Sequence, residues 1–327
     1  GLAKLGNGTL TLSGLNTFDG AVSLAAGGIK LGSAGDSSNS PLGTTNGSTV
    51  VSSGAALDLN GMTLSALEPL VLSGTGIAGA GALMNSGSAA VTWSGPITLG
   101  SACSIVSSYG DMVIAPSDPI AGAFGLTLGG SGTGSSVAAT IGIGTGTVTK
   151  AGTGTWTLYG TNTYTGATTI SAGVLKLGTA GSGANSPLGT TNGSTVVSTG
   201  GALDLNGFTL ATAEPLTLNG TGVSGGGALM NSSAAAVTYA GPVTLGSSTR
   251  INAASGPLTL DVPAGNAVSA SGKNLTLGGS GEITVADPIA TGGGSVTKDG
   301  TNTVTLSADN TYSGATVVNG GLLVLYG

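Results

Sequence analysis

"KAGTGTWTLYGTNTYTGATTISAGVLKLG" spans residues 150–178, with counterparts at 4–32 and 298–327. It opens on a lysine, turns through glycines and an Asn-Thr-Tyr corner, and closes on Gly-x-Leu-x-Leu-Gly. Between turns, apolar residues alternate with small polar ones, as in Trp156 and Leu158 or Leu175 and Leu177. A period of two puts alternate side chains on one face of an extended backbone, the pattern of a half-buried strand. Gly and Asn-Gly supply the positive φ that sharp corners require. The same rhythm fills the rest of the chain in "STVVSSG", "ALDLNG", "PLVLSG" and similar runs. No stretch keeps helical spacing and the strong helix formers are scarce, so almost no helix is expected.

The repetition has two scales. "NSPLGTTNGSTVVSSGAALDLNG" (39–61) returns at 185–207 with two substitutions, Ser53/Thr199 and Ala55/Gly201, an offset of 146 residues. That offset also pairs Lys4 with Lys150, Glu68-Pro69 with Glu214-Pro215, "GALMNS" at 81 with 227, and Trp93 with Tyr239; Lys150 and Lys298 stand 148 apart. The expected organisation is one continuous solenoid of three units, 1–149, 150–297 and the start of a third at 298–327. Scarce aromatics, small apolar residues and near-identical repeats favour parallel coils stacked on each other over a sandwich or barrel. At about 20–25 residues per coil and a spacing of about 4.8 Å, the whole would be a rod on the order of 70 Å long.

Composition narrows the function. Charged residues make up 6% of the chain, against about 25% in ordinary globules. A hydrophobic fraction of 39% argues against disorder. Six lysines, Arg250 and a net charge of −6 leave no basic patch for phosphates, so no nucleic-acid partner is expected. No apolar run approaches the roughly 20 residues of a membrane span. Lacking an initiator Met and a signal peptide, the chain reads as a mature segment or a cut from something longer. Cys103 stands alone, excludes an intramolecular disulfide, and reads as a small buried hydrophobe.

The phrase at 150–178 resembles the autotransporter-associated β-strand repeat found in passenger regions of large bacterial surface proteins. The resemblance rests on Lys150, Gly152, Gly154, Leu158, Asn162, Thr163, Tyr164, Gly166, Thr168, Ile170, Gly173, Leu175, Leu177 and Gly178. The first copy keeps Lys4, Gly6, Gly8, Leu12, Asn16, Thr17, Gly20, Gly28 and Leu31, with Phe18 for the Tyr and Ser23-Leu24 for Thr-Ile. The third keeps Lys298, Gly300, Leu306, Asn310, Thr311, Tyr312 and Gly314 and departs at Val318 and Tyr326. The resemblance covers about a quarter of the chain and implies a right-handed parallel β-helix on the bacterial cell surface or released from it. It also implies a C-terminal membrane β-barrel in a complete member, which these residues do not include.

From the residues themselves, the Asn would bond its own turn and stack on an equivalent Asn, the Tyr would cover the corner, and the lysine would be a solvated strand-edge charge. Trp93, Tyr109 and Trp156 would cover a solenoid edge, the alternative being a carbohydrate-stacking platform or a protein contact. Nothing else marks a reactive centre. There is no His, which excludes a Ser-His-Asp triad and His-based metal sites. The ten Asp and three Glu are dispersed, Asp58 and Asp204 lying a whole unit apart, whereas glycoside cleavage needs convergent carboxylates. Calcium nonapeptides and a phosphate loop are also missing. Sequons at Asn7, Asn46, Asn192, Asn219, Asn231 and Asn274 reflect composition. No catalytic, cofactor-binding or metal residue is assigned and no cofactor is expected. The expected protein is an all-β, non-enzymatic, extracellular or cell-surface solenoid segment. It would associate end to end through open terminal coils; the alternative is an adhesin presenting loops to host surfaces or glycans.

Overall fold

The alternating runs fold into short parallel strands. The computed structural model describes residues 1–326; Gly327, the last residue of the third phrase, lies outside them. Contacts divide the chain into two units, Gly1–Gly166 and Ala167–Gly327.

In the first unit, Leu2–Lys4, Val22–Leu24, Thr49–Val51, Leu70–Gly74 and Ile97–Ser107 pair in parallel, each on the next. A second ladder joins Thr9–Leu12, Gly28–Leu31, Ala56–Asp58 and Leu83–Asn85 to the far half of Ile97–Ser107. That long strand serves both ladders because its register shifts between Leu99 and Cys103, as a bulge that bends a strand. A third ladder stacks Val91–Trp93, Met112–Ile114, Ser135–Val137 and Thr155–Leu158. Equivalent residues of successive coils are 20, 27, 21 and 27 apart, as Leu2, Val22, Thr49, Leu70 and Ile97 face one another in turn. The coil length of 20–25 is therefore exceeded where a loop such as "NSPLGTTNG" is inserted.

The second unit repeats this scheme. Thr168–Ile170, Thr195–Val197, Leu216–Gly220 and Val243–Ala253 form one ladder. Gly173–Leu177, Gly201–Asp204, Leu229–Asn231 and the far half of Val243–Ala253 form another. A third runs through Val237–Tyr239, Leu258–Leu260, Ile283–Val285, Thr303–Leu306 and Leu322–Leu325. Within the inserted loop, Asn185–Ser186 pairs antiparallel with Gly189–Thr190. The described residues contain no α-helix, only the 3-10 turns Ile77–Gly79 and Val223–Gly225. The parallel β-solenoid read from the sequence is the fold.

The core consists of inward ladders of one residue per coil. Ile29, Leu57, Leu83, Ile105 and Leu128 face one another in the first unit, and Leu175, Leu203, Leu229, Ile251 and Leu277 in the second. All ten are fully buried. Cys103 is buried among them, and burial pushes its thiol up to about 12, so it is a packing residue rather than a nucleophile. Trp93 and Trp156 are not edge covers: both lie fully inside the third ladder, while Tyr109 is 77% exposed. The left-handed corner glycine of the first phrase is Gly27, not Gly28; its φ of +70° matches +68° at Gly173 and +66° at Gly321. A side chain at Gly27 would also strike the carbonyls of Gly6 and Gly8 in the coil below.

Because Leu203 is covered by a leucine in the coil on each side, Leu203→Ala should destabilise the chain by about 2–5 kcal/mol. The outward-facing Thr259→Ala should change stability by less than about 0.5 kcal/mol. Urea denaturation followed by circular dichroism measures both.

Candidate functional site

Polar side chains converge at the coil corners, and the lysine that opens each phrase is the first surprise. Lys150 faces Leu128 in the coil below, and Lys298 lies between Leu277 and Val318. Both lysines occupy inward ladder positions and are fully buried, which overturns the solvated strand-edge reading. Their four-carbon stems pack where a leucine would, and the ammonium groups reach the corner. There Lys150 Nζ donates to the carbonyls of Ala151 (2.8 Å) and Gly152 (2.9 Å). Lys298 Nζ donates to Asp299 (2.6 Å), Gly300 (3.2 Å) and, in the following coil, Gly320 (3.1 Å). Lys4, only partly buried, repeats the pattern on Gly6 and on Ala26 of the next coil. The Lys-x-Gly spacing thus turns two consecutive carbonyls toward one cation. Burial pulls the Lys150 ammonium down to about 8 and lowers that of Lys298, the latter opposed by the adjacent Asp299.

The asparagine of the phrase also departs from expectation. Its neighbours in the adjoining coil are backbone groups, not asparagines. Asn162 Oδ1 accepts from Ile141 N–H at 2.7 Å, and Asn310 Oδ1 from Ile289 N–H at 2.9 Å. Asn16 Nδ2 donates to the Pro41 carbonyl at 2.7 Å. The expected bond to its own turn is made by Asn310, to Ala308. Tyr164 is fully buried at its corner, whereas Phe18 and Tyr312 are half-buried.

The "ALDLNG" corner is a vertical polar ladder. Asp58 accepts from Ser86 Oγ at 2.6 Å in the coil above and lies 3.8 Å from Lys30 Nζ in the coil below. Asn60, with a φ of 51°, donates to the Leu31 carbonyl below, while Gly61 N–H donates to Asn85 Oδ1 above. Asp204, Ser232, Lys176, Asn206 and Asn231 repeat this geometry, with Lys176 3.6 Å from Asp204. The two carboxylates stay in their separate ladders and do not converge.

A second pair of carboxyls carries no such partner. Glu68 and Glu214 are fully buried, and each Oε1 accepts one hydroxyl hydrogen bond, from Thr49 (2.7 Å) and Thr195 (2.9 Å). Both Oε2 atoms are buried without a partner. Tyr239 O–H donates to the Glu214 carbonyl at 2.7 Å, and Trp93, its counterpart in the first unit, leaves its indole N–H unpaired. Burial raises both glutamic acids to about 7 against the weaker opposing threonine bonds. The Glu68-Pro69 and Glu214-Pro215 repetition was visible in the sequence; the burial was not. Arg250, a serine in the first unit's copy, pairs with Asp299 and donates to Asn252. Among the described residues no three or more Cys, Asp or Glu side chains are grouped to hold a metal.

Most of these arrangements join one coil to the next. With that geometry in place, comparison with known proteins gives the class. The passenger-associated-transport-repeat matches residues 2–31, 148–177 and 296–325, the three lysine-led phrases. The chain is a parallel β-solenoid that carries three copies of that repeat. It is also 30% identical, over 182 residues, to the adhesin BmaC autotransporter of Brucella suis biovar 1 (strain 1330). That match covers 55% of this chain and 4% of the relative's length. No solved structure matches the chain.

The glutamic acids give the fold a defined pH response. Their folded pKa of about 7 lies above the ordinary 4.5, so the folded state holds more protons between those values. Stability should therefore be fully present below about pH 4.5, fall as pH rises through about 7, and level off above it. The loss should be on the order of 3 kcal/mol per carboxyl. Replacing both residues by Gln should flatten this part of the profile, as read from urea midpoints across pH.

Proposed function

We propose that the chain is a non-enzymatic structural segment of an exported bacterial passenger, at the cell surface or released from it. In this reading it is a stretch of solenoid rod or filament whose work is to extend and to stack. The observation that carries it is the use made of the chain's polar side chains. Lys4 and Lys298, the Asp58 and Asp204 ladders and the phrase asparagines are engaged in coil-to-coil bonding, so little chemistry is left pointing outward. The passenger repeat and the autotransporter relative support export and a surface location.

End-to-end association is part of the proposal. Leu175 and Leu177 of the central phrase are fully buried beneath the coil that begins at Gly201. In the third phrase Val318 is 51%, Leu322 57% and Leu325 62% exposed. A coil face of that kind gains from being covered by another coil, of the same polypeptide or of a second copy, and unpaired strand edges favour such pairing.

The second reading is an adhesin segment. It is favoured by the name of the relative and by the exposed rings of Tyr109, Phe124 and Tyr159 in the first unit, since aromatic faces can stack on sugars.

Sedimentation and electron microscopy of the purified chain separate the two. Stacking should give concentration-dependent filaments with an axial repeat of about 4.8 Å, abolished by Leu322→Lys with Leu325→Lys. A chain that stays monomeric at every concentration and binds immobilised glycans would replace the structural reading with the adhesin one.

A further inference from the structure

The sequence contains seven Asn-Gly pairs, at Asn7, Asn46, Asn60, Asn192, Asn206, Asn219 and Asn319. Asn-Gly is the dipeptide most prone to cyclise, because glycine has no side chain to hinder its own amide nitrogen. In this reaction the glycine nitrogen gives up its proton to solvent base and bonds to the asparagine Cγ. The bond from Cγ to Nδ2 breaks and ammonia leaves. One water molecule then opens the cyclic imide at either carbonyl, giving aspartate or isoaspartate. The net change is amide plus water to carboxylate plus ammonium, with no oxidant or reductant.

The fold treats these identical dipeptides differently. Gly61 N–H is held by Asn85 Oδ1 at 2.8 Å, Gly207 N–H by Asn231 Oδ1 at 3.0 Å and Gly220 N–H by Ser247 Oγ at 2.9 Å. Their asparagines are tied as well: Asn60 Nδ2 donates to Leu31, Asn206 Nδ2 to Leu177 and Asn219 Nδ2 to Val197. Nucleophile and leaving group are thus both pinned, by bonds from different coils. Gly193 N–H is held more loosely, by the Thr190 carbonyl at 3.2 Å. By contrast, the amides of Gly47 and Gly320 have no partner among the described residues, and Asn46 and Asn319 are exposed.

We propose that the coil stack sorts its Asn-Gly pairs into a protected set, at the load-carrying corners, and a modification set that deamidates spontaneously: Asn46 and Asn319. At Asn46 the reaction has a structural consequence. Asn46 Nδ2 donates to Asp19 Oδ1 of the preceding coil at 3.1 Å, alongside Thr44 Oγ1 at 2.6 Å. Deamidation replaces that bond by two facing carboxylates and loosens the loop where the two coils meet.

The test is peptide mass spectrometry of the folded chain aged in mildly alkaline buffer, with a urea-unfolded sample beside it. The near-identical peptides around Asn60 and Asn206 are distinguished by Ser53/Thr199 and Ala55/Gly201. In the folded sample, conversion should appear at Asn46 and Asn319 and lag by about tenfold or more at Asn60, Asn206 and Asn219, the effect of one or more held hydrogen bonds. In urea all seven should react alike. Asn85→Ala, checked for folding by circular dichroism, should release Asn60 alone while Asn206 stays slow as the control within the same chain. Equal folded-state rates at Asn46, Asn60 and Asn206 would overturn the proposal, as would Asn60 staying slow in a folded Asn85→Ala chain.

Discussion

A coil of this solenoid has no core of its own. Its inward side chains are buried only by the equivalent side chains of the coils on either side, at the spacing of neighbouring strands. The leucine and isoleucine ladders from Ile29 to Leu128 and from Leu175 to Leu277 express that constraint. Everything else is arranged to keep the ladders in register: left-handed glycines at the corners, a register shift inside the two longest strands, and polar side chains that reach from one coil to the next.

The lysines show how strongly the constraint acts. Burying an ammonium group is costly unless its hydrogen bonds are met. The Lys-x-Gly turn meets them with main-chain carbonyls rather than with a carboxylate. A backbone cage keeps its geometry from copy to copy without needing an acidic side chain nearby, which suits a chain so poor in charge. The glutamic acids solve the opposite problem differently. With no cation at hand, a buried carboxyl is most easily held as the neutral acid, donating or accepting through threonine. The lysines and glutamic acids are therefore two kinds of buried ionisable group, one satisfied by backbone and one by protonation.

Much of this was legible in the sequence. The alternation, the glycine corners and the 146-residue repetition give the parallel solenoid, and the lysine-led phrases are the stretches that match the passenger-associated-transport-repeat. The lysine positions were legible too: the period of two that turns Val148 and Val296 inward turns Lys150 and Lys298 inward with them. Charge alone suggested solvent, and alternation won. Other features had no such signal. That Asn162 meets Ile141 rather than another asparagine depends on which residues fall opposite each other, and the coil steps vary between 20 and 27 residues. The burial of Glu68 and Glu214 likewise follows from their coil neighbours, Thr49 and Thr195, 19 residues away. Trp93 and Trp156 lie inside because the third ladder has room for large rings, which their scarcity along the chain concealed.

The inward placement of the phrase lysines is the point on which this account stands, and amine acetylation read by mass spectrometry tests it directly. In the folded chain Lys273, part-exposed, should label readily and Lys150 and Lys298, fully buried, should not, all three reacting once the chain is unfolded. Rapid labelling of Lys150 and Lys298 in the folded state would place them in solvent and contradict the ladder that the rest of the structure is built on.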